Sequence, residues 1–125
     1  ALDENPKQAV AAYNLSVISS QRSMQEAVKY AEIAKEAQPG EPKYAYTLAY
    51  YLKENGQKEE AVATLKELIG KNPLYLNAVS FLAEIYMEDG KTKSAEELYE
   101  QTLRNKGLSA ADRQAIEHAL NSLRN

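Results

Sequence analysis

Apolar positions along the chain recur at steps of three and four, the spacing of a helix face. Between Pro42 and Asn55, residues Ala45, Leu48, Ala49 and Leu52 form one such stripe. Gly56 ends it, because glycine tolerates the positive φ that closes a helix. A second helix is predicted from Lys58 to Ile69 on Ala61, Leu65 and Leu68, with Asn72-Pro73 as its stop. The next stretch repeats the arrangement: Val79, Leu82, Ala83 and Tyr86, then Gly90, then Ala95, Leu98 and Tyr99. Earlier in the chain, Ala12, Leu15 and Ser16 open a helix that closes near Ser19–Gln21. Ser23-x-x-Glu26 then reads as a capping box starting another. A last helix is predicted from Ser109 to Leu123, with Ser109 as N-cap, Asp112 in the first turn, and Ile116, Ala119, Leu120 and Leu123 on one face. Nothing reads as a strand. The Tyr44–Tyr51 run is rich in β-prone residues, but its small and large side chains alternate with helical spacing.

The stripes themselves repeat. Gly56 and Gly90 are 34 residues apart, as are Leu48 and Leu82, Ala49 and Ala83, Ala27 and Ala61, Ala61 and Ala95, and Pro39 and Pro73. The first unit departs in its upper half, where Ala12 to Ala45 and Tyr13 to Tyr46 span 33, so one residue is missing from the turn around Ser20–Ser23. A fixed interval of this length marks a repeat array. The units read as 9–41, 42–75 and 76–108, followed by a capping helix over 109–125, with 1–8 as the end of a further, upstream unit.

The pattern resembles the tetratricopeptide repeat, which asks for Trp-x2-Leu-Gly-x2-Tyr, then Ala-x3-Phe, then Pro. The middle unit supplies Ala45-x2-Leu48-Ala49-x2-Leu52, Ala61-x3-Leu65 and Pro73. The third supplies Val79-x2-Leu82-Ala83-x2-Tyr86 and Ala95-x3-Tyr99, with Gly107 where proline would stand. The first supplies Ala12-x2-Leu15-Ser16-x2-Ser19, Ala27-x3-Ala31 and Pro39, and departs most. The resemblance implies an all-α, right-handed α-α superhelix of three helix-turn-helix units plus a C-terminal capping helix. Sterically, small Ser16, Ala49 and Ala83 let the two helices of a unit approach closely, and Ala27, Ala61 and Ala95 do so from the second helix. Leu15, Leu48 and Leu82 are expected to fill the space beside them at interior density.

The two ends read differently. Asp112, Arg113, Glu117 and Arg124 lie off the apolar stripe of the last helix, as a solvating cap requires. Leu2-Asp3-Glu4-Asn5-Pro6 parallels Ile69-Gly70-Lys71-Asn72-Pro73, which implies an upstream helix; the alternative is a short leader with proline at a helix start.

Composition narrows the chemistry. The chain has 125 residues, no cysteine and one histidine, which excludes disulfides, thiolate metal sites, cysteine nucleophiles and a multi-histidine cage. A net charge of -3 argues against a nucleic-acid partner. No run approaches the ~18 apolar residues of a membrane span, so membrane insertion is not expected; cytoplasm and periplasm both remain open. No phosphate loop, dinucleotide glycine set, zinc-protease motif or nucleophile elbow is present. Glu88-Asp89-Gly90 reads as a helix end rather than a calcium loop. His118 has no second ligand, and Glu59-Glu60 and Glu96-Glu97 suit helix starts better than acid–base catalysis. Asn14-Leu15-Ser16 falls inside a helix and carries no weight as a glycosylation signal. No catalytic residue, cofactor or metal is expected.

Tyrosine is the surplus: nine, against one phenylalanine and no tryptophan. Tyr86 and Tyr99 fall on aromatic places of the repeat, and Tyr30 and Tyr75 suit seals between units. The resemblance further implies that the first helix of each unit lines a concave wall. On this chain that wall holds Tyr13, Asn14 and Val17, then Lys43, Tyr46, Thr47 and Tyr50, then Asn77, Ser80, Phe81 and Glu84. Tyr13, Tyr46 and Tyr50 would form an aromatic strip with hydrogen-bonding groups among them, suited to an extended peptide. Alternatively the tyrosines only pack along neighbouring first helices. Some relatives clamp a peptide's terminal carboxylate with Lys, Asn and Arg. The matching places here carry Tyr13, Val17, Thr47, Asn77 and Phe81, and only Lys43 is left to meet a carboxylate. The expected function is therefore a non-enzymatic module binding a protein or peptide segment. The alternative is a structural or assembly segment, the C-terminal repeat domain of a larger protein, with self-association or continuation of the array at its N-terminal end left open. An enzyme, or a single-stranded RNA binder using stacked tyrosines, fits the residues less well.

Overall fold

The computed structural model describes residues 4–125, which form seven α-helices: α1 (Pro6–Ser19), α2 (Met24–Ala37), α3 (Pro42–Glu54), α4 (Lys58–Lys71), α5 (Leu76–Glu88), α6 (Thr92–Leu103) and α7 (Ala110–Arg124). Among the described residues there is no strand. The chain divides into two compact units, one ending at Leu68 and the other running from Ile69 to Asn125.

Helix boundaries follow the capping signals. Ser23 Oγ accepts the Glu26 amide at 3.3 Å, and Ser109 Oγ accepts the Asp112 amide at 3.1 Å. Gly56 and Gly90 carry φ of 81° and 74°. At each, the amide two residues past the C-cap returns to the carbonyl three residues before it. Gln57 N–H reaches Leu52 O at 2.8 Å, and Lys91 N–H reaches Tyr86 O at 2.7 Å. This double-bonded helix end needs a left-handed residue, which is why glycine recurs there. Asp89 is the C-cap of α5, so Glu88-Asp89-Gly90 is a helix end and turn.

α1 starts six residues before Ala12, because Asn5 and Pro6 supply a start signal. Asn5 Oδ1 accepts the Gln8 amide at 3.1 Å, and Pro6 occupies the first turn, where its missing N–H costs nothing. The Asn5 amide also donates to Ala37 O at 2.6 Å, tying the head of α1 to the end of α2. Leu2 and Asp3, part of the stretch read as an upstream helix end, lie outside the described residues.

In the first unit, α1 packs on α2 and α2 on α3. Ala9 and Ala12 of α1 meet Ala34 and Ala37 of α2 and Tyr44 of α3, with Tyr13 and Ile33 against the cluster. Alanine on both sides of the α1–α2 contact permits close approach, as the small-residue pattern requires. Ser16 is fully buried there and satisfies its hydroxyl by donating to Tyr13 O at 2.6 Å. Lys35 and Glu67 add an exposed ion pair at 3.2 Å between α2 and α4. Such a pair contributes at most about 1 kcal/mol.

In the second unit, α5, α6 and α7 enclose Val79, Ala83, Ala95, Tyr99, Ile116 and Leu120. Two expectations need correction. Arg113 is not a solvating residue. Its guanidinium donates to Leu103 O at 2.8 Å and Asn105 O at 3.3 Å, satisfying carbonyls that the end of α6 leaves free. Arg124 pairs with Glu100 of α6. Half of the polar set on α7 thus fastens the helix to its neighbour. Leu15 is the second correction. It is 43% exposed, whereas Leu48 and Leu82 at the same repeat position are 4% and 2% exposed. Leu15 lies off the Ala9, Ala12 and Ser16 stripe, the buried side of α1.

Candidate functional site

Helical spacing puts Lys43, Tyr46, Thr47 and Tyr50 on one stripe of α3, at steps of three and four. The matching stripe of α1 carries Tyr13, Asn14 and Val17. α1 and α3 meet where Tyr13 reaches Lys43 and Tyr44. The Tyr13 and Tyr44 rings lie 5.7 Å apart and tilted at 51°. Tyr44 is buried, so it forms a floor, while Tyr13 is half-buried above it. Lys43 Nζ stands 4.6 Å from the Tyr13 ring centroid and 5.6 Å from that of Tyr44. The ammonium is attracted by two negative ring faces, worth about 0.5–1 kcal/mol at an exposed site. This contact restricts a side chain that would otherwise sample many rotamers.

One turn further along α3, Tyr46 and Thr47 are half-buried and Tyr50 is 47% exposed. Tyr50 leans edge-on against buried Tyr51, with centroids 5.7 Å apart and planes at 63°. The exposed tyrosine therefore rests on a fixed partner, a geometry aromatic pairs favour. Asn14 and Val17 of α1 are exposed beside Tyr13. The result on the first unit is a run of aromatic area, one restrained cation and hydrogen-bonding groups, all reachable by solvent.

Two members of this arrangement were not singled out from the sequence. Val10 stands 33 residues before Lys43, and Lys43 stands 34 before Asn77, so the repeat interval assigns Val10 to the same wall. It is half-exposed. Tyr44 is the other, and its role as floor follows only from packing.

In the second unit, Asn77, Ser80 and Glu84 of α5 are exposed and Phe81 is half-buried, again on one stripe. Burial, and secondarily the charge of Glu84, push the Tyr99 phenol above its ordinary value of 10.0. The native state then holds this proton more tightly than the unfolded chain. Its contribution is complete below about pH 10 and is lost as the pH rises through the higher folded value. The urea midpoint is expected to fall as the pH is raised above about 10, and to fall less in Tyr99→Phe; equal losses in both proteins would locate the alkaline sensitivity elsewhere.

Among the described residues, no cluster of three or more histidine or acidic side chains is placed to hold a metal. No helix there is long and apolar enough to cross a membrane.

Comparison with known proteins bears on the same features. The model of the family described as "Anaphase-promoting complex, cyclosome, subunit 3" matches residues 20–102. No curated protein matches. Among solved structures, the tetratricopeptide-repeat domain of Sgt2 from Aspergillus fumigatus superposes with a TM-score of 0.74 at 19% identity, over 99% of this chain and 81% of that one. The first such domain of Spaghetti (RPAP3), solved with the HSP90 peptide SRMEEVD, gives a TM-score of 0.71 at 17% identity, over 97% of this chain and 99% of that one. At these identities the likeness is one of fold, and it is the all-α repeat fold that the spacing of small and large residues implies. The chain belongs to the family described by that model, and so to the tetratricopeptide-repeat proteins, which are protein-interaction modules.

Proposed function

We propose that the shared face of α1 and α3 binds an extended segment of a partner protein. The observation that carries this reading is the exposure of aromatic side chains on packed supports: Tyr50 against Tyr51, and Tyr13 between Tyr44 and Lys43. A tyrosine needed only for the core would be covered, and Tyr50 is not. Tyrosine offers large contact area with few torsions to freeze, and a hydroxyl that can bond a passing backbone. An extended peptide needs such contacts, because its own amides and carbonyls must be satisfied on leaving water. The peptide-bound RPAP3 domain supports a segment of a few residues as the kind of occupant. The sequence departs from the cationic carboxylate clamp, so the bound segment is one of mixed apolar and polar side chains. Lys43 is placed to meet a single carboxylate on it.

The test is selection from a displayed library of short linear peptides, followed by titration of the best binder. Tyr46→Ala/Tyr50→Ala is expected to weaken binding at least about tenfold, since truncating two aromatic contacts typically removes more than 1 kcal/mol. Circular dichroism should show the variant still helical. Undiminished binding by that folded variant would remove α3 as the site.

A further inference from the structure

The face shared by α1 and α3 is rich in hydrogen-bond donors and carries no carboxylate. α1 contains no acidic residue, and α3 contains one, Glu54, at its last position. The polar groups on the face are the Tyr13, Tyr46 and Tyr50 phenols, Asn14, Thr47 and the exposed Lys43. An ammonium offers three donors and no acceptor. An ordinary extended segment brings one N–H per residue, and each of these must find an acceptor on leaving water. Proline brings a carbonyl and no N–H. Such a face therefore matches a chain with few N–H groups.

Spacing points the same way. Tyr13 and Tyr46 hold the same repeat position, 33 residues apart, on helices that touch through Tyr13, Lys43 and Tyr44. Packed helices lie about 8–10 Å apart, so a segment crossing both meets a tyrosine at about that interval. A β-strand returns side chains to one face about every 6.7 Å, and an α-helix about every 5.4 Å. A polyproline II helix has three residues per turn and rises ~3.1 Å per residue, so it returns a side chain to one face about every 9 Å. Of the three, the last fits the interval.

We infer that this face takes a proline-rich segment in the polyproline II conformation, laid across α1 and α3 with prolines at i and i+3 against Tyr13 and Tyr46. The inference rests on the peptide-binding reading above and names the class of segment. Each proline ring packs on a phenol ring. The tyrosine hydroxyls, Thr47 and Lys43 donate to carbonyls that polyproline II leaves open, since it has no internal hydrogen bonds. Tyr50 stands about 6 Å from Tyr46 along α3 and extends the floor under a flanking residue. The supports are already in place: Tyr51 holds Tyr50 edge-on, and Tyr44 and Lys43 hold Tyr13. The segment is preorganised too, so little backbone entropy is lost on binding, which offsets the small area of two or three rings.

The probe is a peptide of about nine prolines titrated into the isotopically labelled chain, with a glycine–serine peptide of equal length as control. Saturable amide shifts centred on Tyr13, Tyr46, Thr47 and Tyr50 are expected at polyproline concentrations below about 1 mM, and none with the control. Tyr46→Ala should weaken polyproline binding at least about fivefold. Tyr50→Ala, at an exposed position where folding is least at risk, should weaken it at least about threefold. Two further peptides place the same number of prolines among alanines and differ only in register. Prolines at every third residue should bind at least about fivefold tighter than prolines at every second residue, because only the former share one face of a polyproline II helix. Equal binding by the two would overturn the inference, as would polyproline shifts centred away from α1 and α3. So would a proline-poor library peptide that binds these residues while polyproline gives no shift; that outcome leaves the peptide site itself standing. No shift from any peptide would remove the site and the inference together.

Discussion

Leu48→Ala is expected to lower the free energy of unfolding by about 2–5 kcal/mol, and Leu15→Ala by less than about 1 kcal/mol. The two leucines occupy the same repeat position, so the contrast isolates burial from chemistry. Leu48 is 4% exposed, and its truncation removes apolar area from the interior and leaves a void that neighbouring helices fill only in part. Leu15 is 43% exposed and already touches water, so its truncation forfeits a smaller transfer term and opens no closed cavity. Urea unfolding of both variants, followed by circular dichroism, measures the difference. An unchanged denaturant slope would place it in stability rather than in the unfolded chain. Equal losses would mean that Leu15 is covered in solution, and the measurement should then vary with protein concentration.

Ala95→Leu is expected to cost about 1–3 kcal/mol through overpacking. Ala95 is fully buried in a cluster with Val79, Ala83 and Tyr99. Three further carbon atoms can enter only by displacing the Tyr99 ring or by prising α6 from α5. Ala111→Leu is the control. Ala111 is also helical, on α7, but exposed, so the same substitution there should change stability by no more than about 0.5 kcal/mol. Thermal unfolding separates the pair, and a stabilised Ala95→Leu would show a looser contact between α5 and α6 than the packing implies.

Much of this architecture was legible from residue spacing. Glycine at 56 and 90, proline at 42 and serine at 23 and 109 act within a few residues of themselves, so their effect on helix ends needs no distant partner. The small positions were legible by their recurrence instead. Ala27, Ala49, Ala61, Ala83 and Ala95 recur because helices approach closely there, and every one is buried. The tyrosine face was legible only in outline. Helical periodicity puts Lys43, Tyr46 and Tyr50 on one stripe of α3. It does not show that Lys43 lies over Tyr13, which is thirty residues away and on another helix.

Leu15 and Arg113 depart from the spacing for one reason. Their own helix marks the first as an apolar repeat position and the second as a charge off the apolar stripe. Burial of Leu15 depends on whether another helix lies over α1, and the role of Arg113 depends on where the end of α6 leaves its carbonyls. Local spacing determined which residues form helices, where those helices stop and which positions must be small, because these depend on backbone conformation and on volume at a contact. Tertiary structure alone decided which apolar stripes are covered, which tyrosines stay open to solvent and which charges bind neighbouring backbone. Those outcomes are set by what comes to lie opposite each side chain in space.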